Sequence, residues 1–402
     1  MIRVGFVLAD SGNAWLGGIN YMSNLLHAIA KIPDRQIEPV LIVPPDMPEE
    51  LLAVFPPWQV LRTALAVGQH AGWRLARILG RELVGRDVLM ERFLRQHGID
   101  VLSHSGHLGR WATVPTIGWI PDFQHRRMPE FFQPAELTSR DRVFRRITER
   151  CTTVLLSSVD AQHDLARFDP SAVPRSRVLH FVSGFAGGAT PVVAEHVLRE
   201  RYDIVGPYFH LPSQFWAHKN HRAVIDALAI LQARGRPAEV VCTGDKTDRR
   251  WPGFFSELMA HAEAQGAKDC FRVLGLVPYA DMASLMTYSV AVINPSLFEG
   301  WSTTVEETKS LGLTMVLSDI PVHKEQNPEQ GVYFDPHKPA SLADALEDVQ
   351  NRFTNNAATK HKLQAQEKLP SRFSKFGARY QAIVLETILG NSEKVSVDAL
   401  LG

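Results

Sequence analysis

The stretch Val290-Ala-Val-Ile-Asn294-Pro-Ser-Leu-Phe-Glu299-Gly-Trp-Ser-Thr-Thr-Val-Glu306-Glu307-Thr-Lys-Ser-Leu-Gly312 decides the reading of the fold. It opens on a short apolar run, 290–294, of the kind that is buried on both faces in a parallel sheet. A loop with Gly300, Ser302, Thr303 and Thr304 follows, then a helical pattern that Gly312 closes. Strand, loop and helix in that order form one unit of a parallel α/β sheet, whose ligands sit at the carboxyl ends of the strands. Glu299 and Glu307, with seven residues between them, flank the helix start. Backbone N–H groups there can hold a phosphate. The carboxylates can accept hydrogen bonds from sugar hydroxyls, one from a transferred sugar and one from a nucleotide ribose. Spacing alone favours a solvated helix start, where Glu is common for dipole reasons; the surrounding sequence tips the balance.

Working outward, the second half repeats this unit. Strands are expected at 208–211, 240–243, 271–274, 315–318 and 332–334, and every gap but the last is long enough for a helix. The first half shows the same alternation, with strands expected at 2–8, 40–43, 101–104, 116–120, 153–157 and 178–182. A glycine-rich turn after the first strand leads into a helix with Ile19, Met22, Leu26 and Ile29 on one face. Segment 63–98, rich in Leu, Arg and Ala, reads as helices inserted into the first domain. Segment 183–207, with Gly184, Gly187, Gly188, Pro191 and Gly206, reads as the linker. The expected architecture is α/β: two Rossmann-like parallel-sheet domains facing across a cleft.

Bulk properties narrow the function classes. The 402 residues suit two domains, and the 43 basic and 43 acidic side chains cancel, which argues against broad nucleic-acid binding. Cys151, Cys242 and Cys270 are too far apart for a zinc cluster or disulfide framework, so a reducing, cytoplasmic setting is expected. The apolar N-terminal run is too short for a signal segment and reads as a buried strand. No segment approaches the ~18 apolar residues of a membrane span.

Three stretches together resemble the group 1 glycosyltransferases, glycosyltransferase family 4, whose retaining members carry E-x7-E in this setting and the GT-B fold. The first is 299–312, where Glu299, Gly300, Glu307 and Gly312 match, while Ser302, Thr303 and Thr304 replace the usual G-L-P. The second is Leu211-Pro-Ser-Gln-Phe-Trp-Ala-His-Lys-Asn-His221, which is similar to G-R-x-x-x-x-K-N, with Gln214 at the Arg position. The third is Val241-Cys-Thr-Gly244-Asp245, followed by Val273-Leu-Gly-Leu-Val-Pro. Ser318-Asp-Ile-Pro-Val-His323 also looks like the family.

The resemblance implies site roles. Lys219 would neutralise the donor diphosphate, Glu299 would position the donor sugar and Glu307 the ribose. Gln214, Gly244 and the loop 302–304 would line the donor, and backbone at Gly275, Leu276 and Val277 would meet the nucleobase. In the first half, Gly17 and Gly18 would let backbone approach the diphosphate. Ile120-Pro-Asp122-Phe-Gln-His125-Arg126-Arg127 resembles an acceptor-side loop in which Asp122 or His125 orients the acceptor hydroxyl and the arginines meet an anionic acceptor. The implied domains are 1–185, a linker 186–207, a donor domain 208–372, and a last helix, 373–392, crossing back onto the first domain.

The chain contains no D-x-D, Walker A, G-x-S-x-G or G-x-G-x-x-G pattern, and His218 and His221 read as helix-surface residues, not a metal pair. No metal and no cofactor are expected; a nucleotide sugar would be a substrate. The expected reaction is retaining transfer of a hexose to a sugar or lipid-linked saccharide in polysaccharide or glycoconjugate synthesis, with GDP-mannose suggested by bacterial relatives. The alternatives are an epimerase, hydrolase or phosphorylase on the same fold, or a non-catalytic sugar-nucleotide-binding protein. For segment 63–98, a buried helix pair with solvated arginines is expected; the alternative is peripheral contact with the inner membrane face.

Overall fold

The computed structural model describes residues 1–8, 16–66, 71–184 and 193–390. Contacts divide the chain into two units. One comprises Met1–Phe123, Pro134–Val182 and Ser371–Gly402; the other comprises Gln124–Gln133 and Ser183–Pro370.

The first unit is built on β1 (Ile2–Val7), β2 (Ile37–Val43), β3 (Gln59–Arg62), β4 (Val101–Ser103), β5 (Thr116–Ile120), β6 (Thr153–Leu156) and β7 (Ser176–Val178). Their order is β3-β2-β1-β4-β5-β6-β7, and each pairing is parallel. The sequence reading passes over β3 because it lies at the sheet edge and is mostly exposed, so it carries no apolar run. The helix Leu16–Ala30 buries Tyr21, Met22, Leu25, Leu26 and Ile29.

The second unit contains β8 (Phe209–Pro212), β9 (Val240–Thr243), β10 (Phe271–Gly275), β11 (Val292–Asn294), β12 (Met315–Ser318) and β13 (Gly331–Phe334). The order is β10-β9-β8-β11-β12-β13, again parallel throughout. Its core joins Phe209, Leu211 and Val240 from the strands to Val224, Leu228 and Leu342 from the helices. The inner strands β8, β9, β11 and β12 are almost wholly buried because helices cover both faces.

The helix Asn355–Leu389 is shared between the units, and the division falls between Pro370 and Ser371. Pro370 has no N–H to donate to the helical ladder. Beyond it, Gly377 lies against the backbone of the helix Leu16–Ala30, where a Cβ would meet Ala28 O at 2.5 Å. Tyr380 is fully buried and donates its hydroxyl to Ser103 Oγ at 2.7 Å.

Segment 63–98 departs from expectation. It holds the helices Ala71–Leu79 and Val88–Gln96, joined through a wide π turn, Gly80–Val84. Its arginines are not simply solvated: Arg77 Nε lies 2.8 Å from Asp87 and Arg86 lies 2.6 Å from Glu91, both carboxylates being buried. Burying acids obliges guanidinium groups to cover them, and among the described side chains Leu75, Leu79, Leu83 and Val84 are left outward.

Candidate active site

Within the second sheet, connections from β8 lead to one side and those from β11 to the other, so a crevice opens where the order reverses. The chain leaving β8 makes a short 3-10 helix, Ala217–Lys219. Asn220 then takes a left-handed conformation, φ 56°, and its side-chain amide donates to Pro295 O at 3.2 Å and Pro336 O at 3.0 Å. Leu297 N donates to His218 O at 2.9 Å. These bonds fasten the loop after β8 to the loop after β11.

The result is an ion pair. Lys219 Nζ donates to Glu299 Oε1 at 2.6 Å. Ser296 Oγ lies 2.7 Å from the same oxygen and 2.7 Å from Asn294 Oδ1. Glu299 Oε2 makes no hydrogen bond among the described residues. Burial pushes the Glu299 carboxyl up, but the charge and hydrogen bond of Lys219, with His323 and Ser296, outweigh it and bring the carboxyl to about 2. His323 is buried, with Nδ1 3.0 Å from Ser318 O and Nε2 without a partner among the described residues. Burial holds its pKa down.

The helix Thr303–Leu311 begins beside this pair. Ser302 caps it, receiving Asn294 Nδ2 at 2.8 Å, and Gln326 brackets the cap by accepting from Ser302 N at 3.3 Å and donating to Ser302 O at 3.0 Å. Thr304 Oγ1 donates to Pro212 O at 3.3 Å, which ties the helix start to the end of β8. The N–H groups of Thr303 and Thr304, in the first turn, have no intrahelical partner. An ammonium, helix-start amides and a carboxylate with one uncommitted oxygen thus stand together at a strand-order reversal.

Residues 207–352 match the family model described as Glycosyl transferases group 1. The second unit carries a group 1 glycosyltransferase domain. The whole chain has the GT-B type of α/β fold, with two Rossmann-like parallel sheets. It is similar to the solved glycosyltransferase from Rickettsia africae at 14% identity and a TM-score of 0.66, over 97% of this chain and 99% of that one. It is also similar to Anabaena Alr3699/HepE, solved in complex with UDP-glucose, at 15% identity and a TM-score of 0.67, over 96% and 100%. A third neighbour is the sucrose-phosphate synthase from Thermosynechococcus elongatus, at 12% identity and a TM-score of 0.60, over 96% of each chain. No curated protein matches the sequence.

The remaining expected residues are distributed unevenly. In the group 1 domain, Gly244 has φ 146°, and a Cβ there would lie 2.2 Å from Ser213 O, so its lack of a side chain lets the end of β9 close on the Ser213–Gln214 backbone. Gln214 is half-buried in that turn. Leu276 is 73% exposed after β10, whereas the Val277 side chain packs toward Tyr208 and Leu285. Of these two, only Leu276 presents an open apolar surface.

Glu307 lies in the helix with its carboxyl buried; Ser183 Oγ and Tyr279 OH stand 3.5 and 3.4 Å from Oε1. Burial raises its pKa to about 7, and these long contacts offset it only in part. Its neighbour Glu306 is instead paired with Lys309 at 3.3 Å and receives Gln326 Nε2 at 3.0 Å.

Gly17 and Gly18 occupy the first turn of the helix Leu16–Ala30, and Asp122 follows β5; all three belong to the first unit. His125, buried in the helix Gln124–Arg127, groups with the second. In the same segment Arg127 lies over the Phe298 ring at 5.7 Å, next to Glu299 in sequence.

His218 and His221 are a correction: both are buried, not on a helix surface. The His221 ring stacks on Phe215 at 4.4 Å, and its Nε2 lies 3.3 Å from Ser213 Oγ. Among the described residues no group of three or more His, Cys, Asp or Glu is placed to hold a metal. Sequence reasoning missed Asn294, Ser296, Gln326 and Tyr279. Gln326 and Tyr279 are ordinary polar residues of other stretches that only the fold brings to Ser302 and Glu307, and Asn294 and Ser296 lie in the quoted stretch, where spacing does not reveal their bonds to Ser302 and Glu299.

Proposed function

We propose that the protein transfers a sugar, with retention at the anomeric carbon, from a nucleotide-sugar donor to an acceptor hydroxyl. The observation that carries this reading is the Lys219–Glu299 pair at the sheet reversal, with Glu299 Oε2 and the remaining ammonium protons uncommitted. An ammonium has three donors. One is spent on Glu299, and the others suit the oxygens of a diphosphate, as do the amides at the start of Thr303–Leu311. Glu299 would accept hydrogen bonds from the transferred hexose, and Glu307 from the ribose. Leaving-group charge would be met electrostatically by fixed donors, without a metal. Ser302, Thr303 and Thr304 shape the donor loop in this reading. Asp122 and His125 would orient the acceptor, a sugar or lipid-linked saccharide in polysaccharide or glycoconjugate synthesis.

UDP-glucose, bound in the Anabaena neighbour, and GDP-mannose are the first donors to try. A thermal-shift screen of UDP, GDP, ADP and dTDP sugars identifies the nucleotide, because a ligand bound only by the native state stabilises it. With that donor and a saccharide acceptor, Glu299→Ala and Lys219→Ala should each lower kcat/KM by about 10²–10³-fold. Unchanged turnover by folded Glu299→Ala would remove the site from consideration. Turnover of donor without acceptor would favour a hydrolase or epimerase, and tight binding without turnover a sugar-nucleotide-binding protein.

A further inference from the structure

The segment that departs from expectation in the first unit presents apolar side chains to solvent. Leu75 and Leu79, one turn apart, are 57% and 46% exposed; Leu83 and Val84, in the wide turn that follows, are 79% and 61% exposed. Trp111, 67% exposed, adjoins them: its backbone N–H donates to Gly85 O at 2.8 Å, and a Cβ on Gly85 would meet the indole at 2.3 Å. Isolated exposed apolar residues are ordinary, but a contiguous group rimmed by polar side chains marks an interaction surface.

The rim is cationic. Among the described side chains between residues 75 and 95 stand five arginines (77, 81, 86, 92 and 95) and three acids (82, 87 and 91), in a chain whose 43 basic and 43 acidic residues balance. Asp87 and Glu91 are buried beneath arginines and offer nothing to the outside. Arg110 lies over the Trp111 ring at 5.8 Å, and neither Arg110 nor Arg92 forms an ion pair among the described residues. Arg92 stands one turn beyond the exposed Val88 on the helix Val88–Gln96.

We propose that this surface docks on an anionic lipid bilayer, with Leu79, Leu83 and Val84 entering the acyl boundary while Trp111 and the arginines lie at headgroup level. Leucine or valine below and indole and guanidinium above is the arrangement of helices that lie in the interface plane. No helix among the described residues is long and apolar enough to cross a membrane, so the contact is peripheral. A two-fold contact with a second copy is the poorer fit, because an isologous interface would set one arginine rim against the other.

Co-sedimentation of the full chain with vesicles tests the proposal. The protein should pellet with vesicles of phosphatidylglycerol and phosphatidylethanolamine, less with phosphatidylcholine alone, and less as salt rises. L83E/V84E changes two side chains already facing solvent. It should lower partitioning by at least about tenfold with an unchanged thermal melt. R92E/R110E should remove the preference for anionic lipid. The proposal is overturned if the wild-type chain binds neither vesicle, binds both equally, or binds no better than folded L83E/V84E. A wild-type dimer that L83E/V84E converts to monomer, with no vesicle binding by either, would assign the surface to a second copy.

Discussion

Lys219→Met removes the cation beside Glu299 while keeping most of the side-chain volume. In the native protein the carboxyl stands at about 2 in place of its ordinary 4.5, a difference worth about 3 kcal/mol of preference for the charged form. That agrees with the ~3–5 kcal/mol lost when one member of a buried pair is deleted, the lower end suiting side chains 17% and 11% exposed. At pH 7, Lys219→Met should therefore cost about 3 kcal/mol.

The pH dependence supplies the sharper test. The folded-state value lies below the unfolded one. The pair's contribution is thus fully present above about pH 4.5 and disappears as pH falls toward 2. Urea unfolding followed by circular dichroism, from pH 3 to 7, measures this. The difference between wild type and Glu299→Gln should shrink toward acid. In the Lys219→Met background the same difference should not show that acid limb, because burial without a cation raises the carboxyl. A double-mutant cycle should return about 2–3 kcal/mol of coupling at pH 7. Coupling below about 0.5 kcal/mol, or an acid limb that survives Lys219→Met, would refute the reasoning.

Two further outcomes follow from single residues. Gly244→Ala combines a backbone region that side chains avoid with a Cβ 2.2 Å from Ser213 O, so denaturant titration should show a loss of at least ~2 kcal/mol. Glu307 works in the opposite sense to Glu299. Its folded-state value, about 7, lies above the ordinary 4.5, so it takes nothing from stability below about pH 4.5, an increasing amount as pH rises to 7, and about 3 kcal/mol beyond. Glu307→Gln should match wild type at pH 4.5 and exceed its stability at pH 8; equal stability at both would show that the carboxyl is not held in a desolvated site.

Much of the second unit was legible. The strands Val240–Thr243 and Met315–Ser318 announce themselves because both their faces are covered and their sequences are apolar throughout. Gly312, with φ 67°, marks its helix end by the conformation it must adopt. The edge strand β3 was illegible for the converse reason, since an exposed strand need not be apolar. Segment 63–98 misled because arginine spacing does not reveal which arginines cover buried acids. Asp87 and Glu91 could be identified as those acids only once packed.

The sequence by itself determined the apolar runs of the inner strands, the helical patterns between them and the strand-end position of the polar loops, and its resemblance to a known family singled out Lys219, Glu299 and Glu307. The runs, patterns and loops are local properties, carried by apolar residues, glycines and spacing. Strand order was settled by tertiary structure alone. Lys219 and Glu299 are 80 positions apart and meet because β8 lies beside β11. The same packing left one acid paired and strongly acidic and the other desolvated near neutrality. Two carboxylates of one chemical type acquire opposite behaviour because desolvation and cation contact depend on three-dimensional neighbours, not on position along the chain.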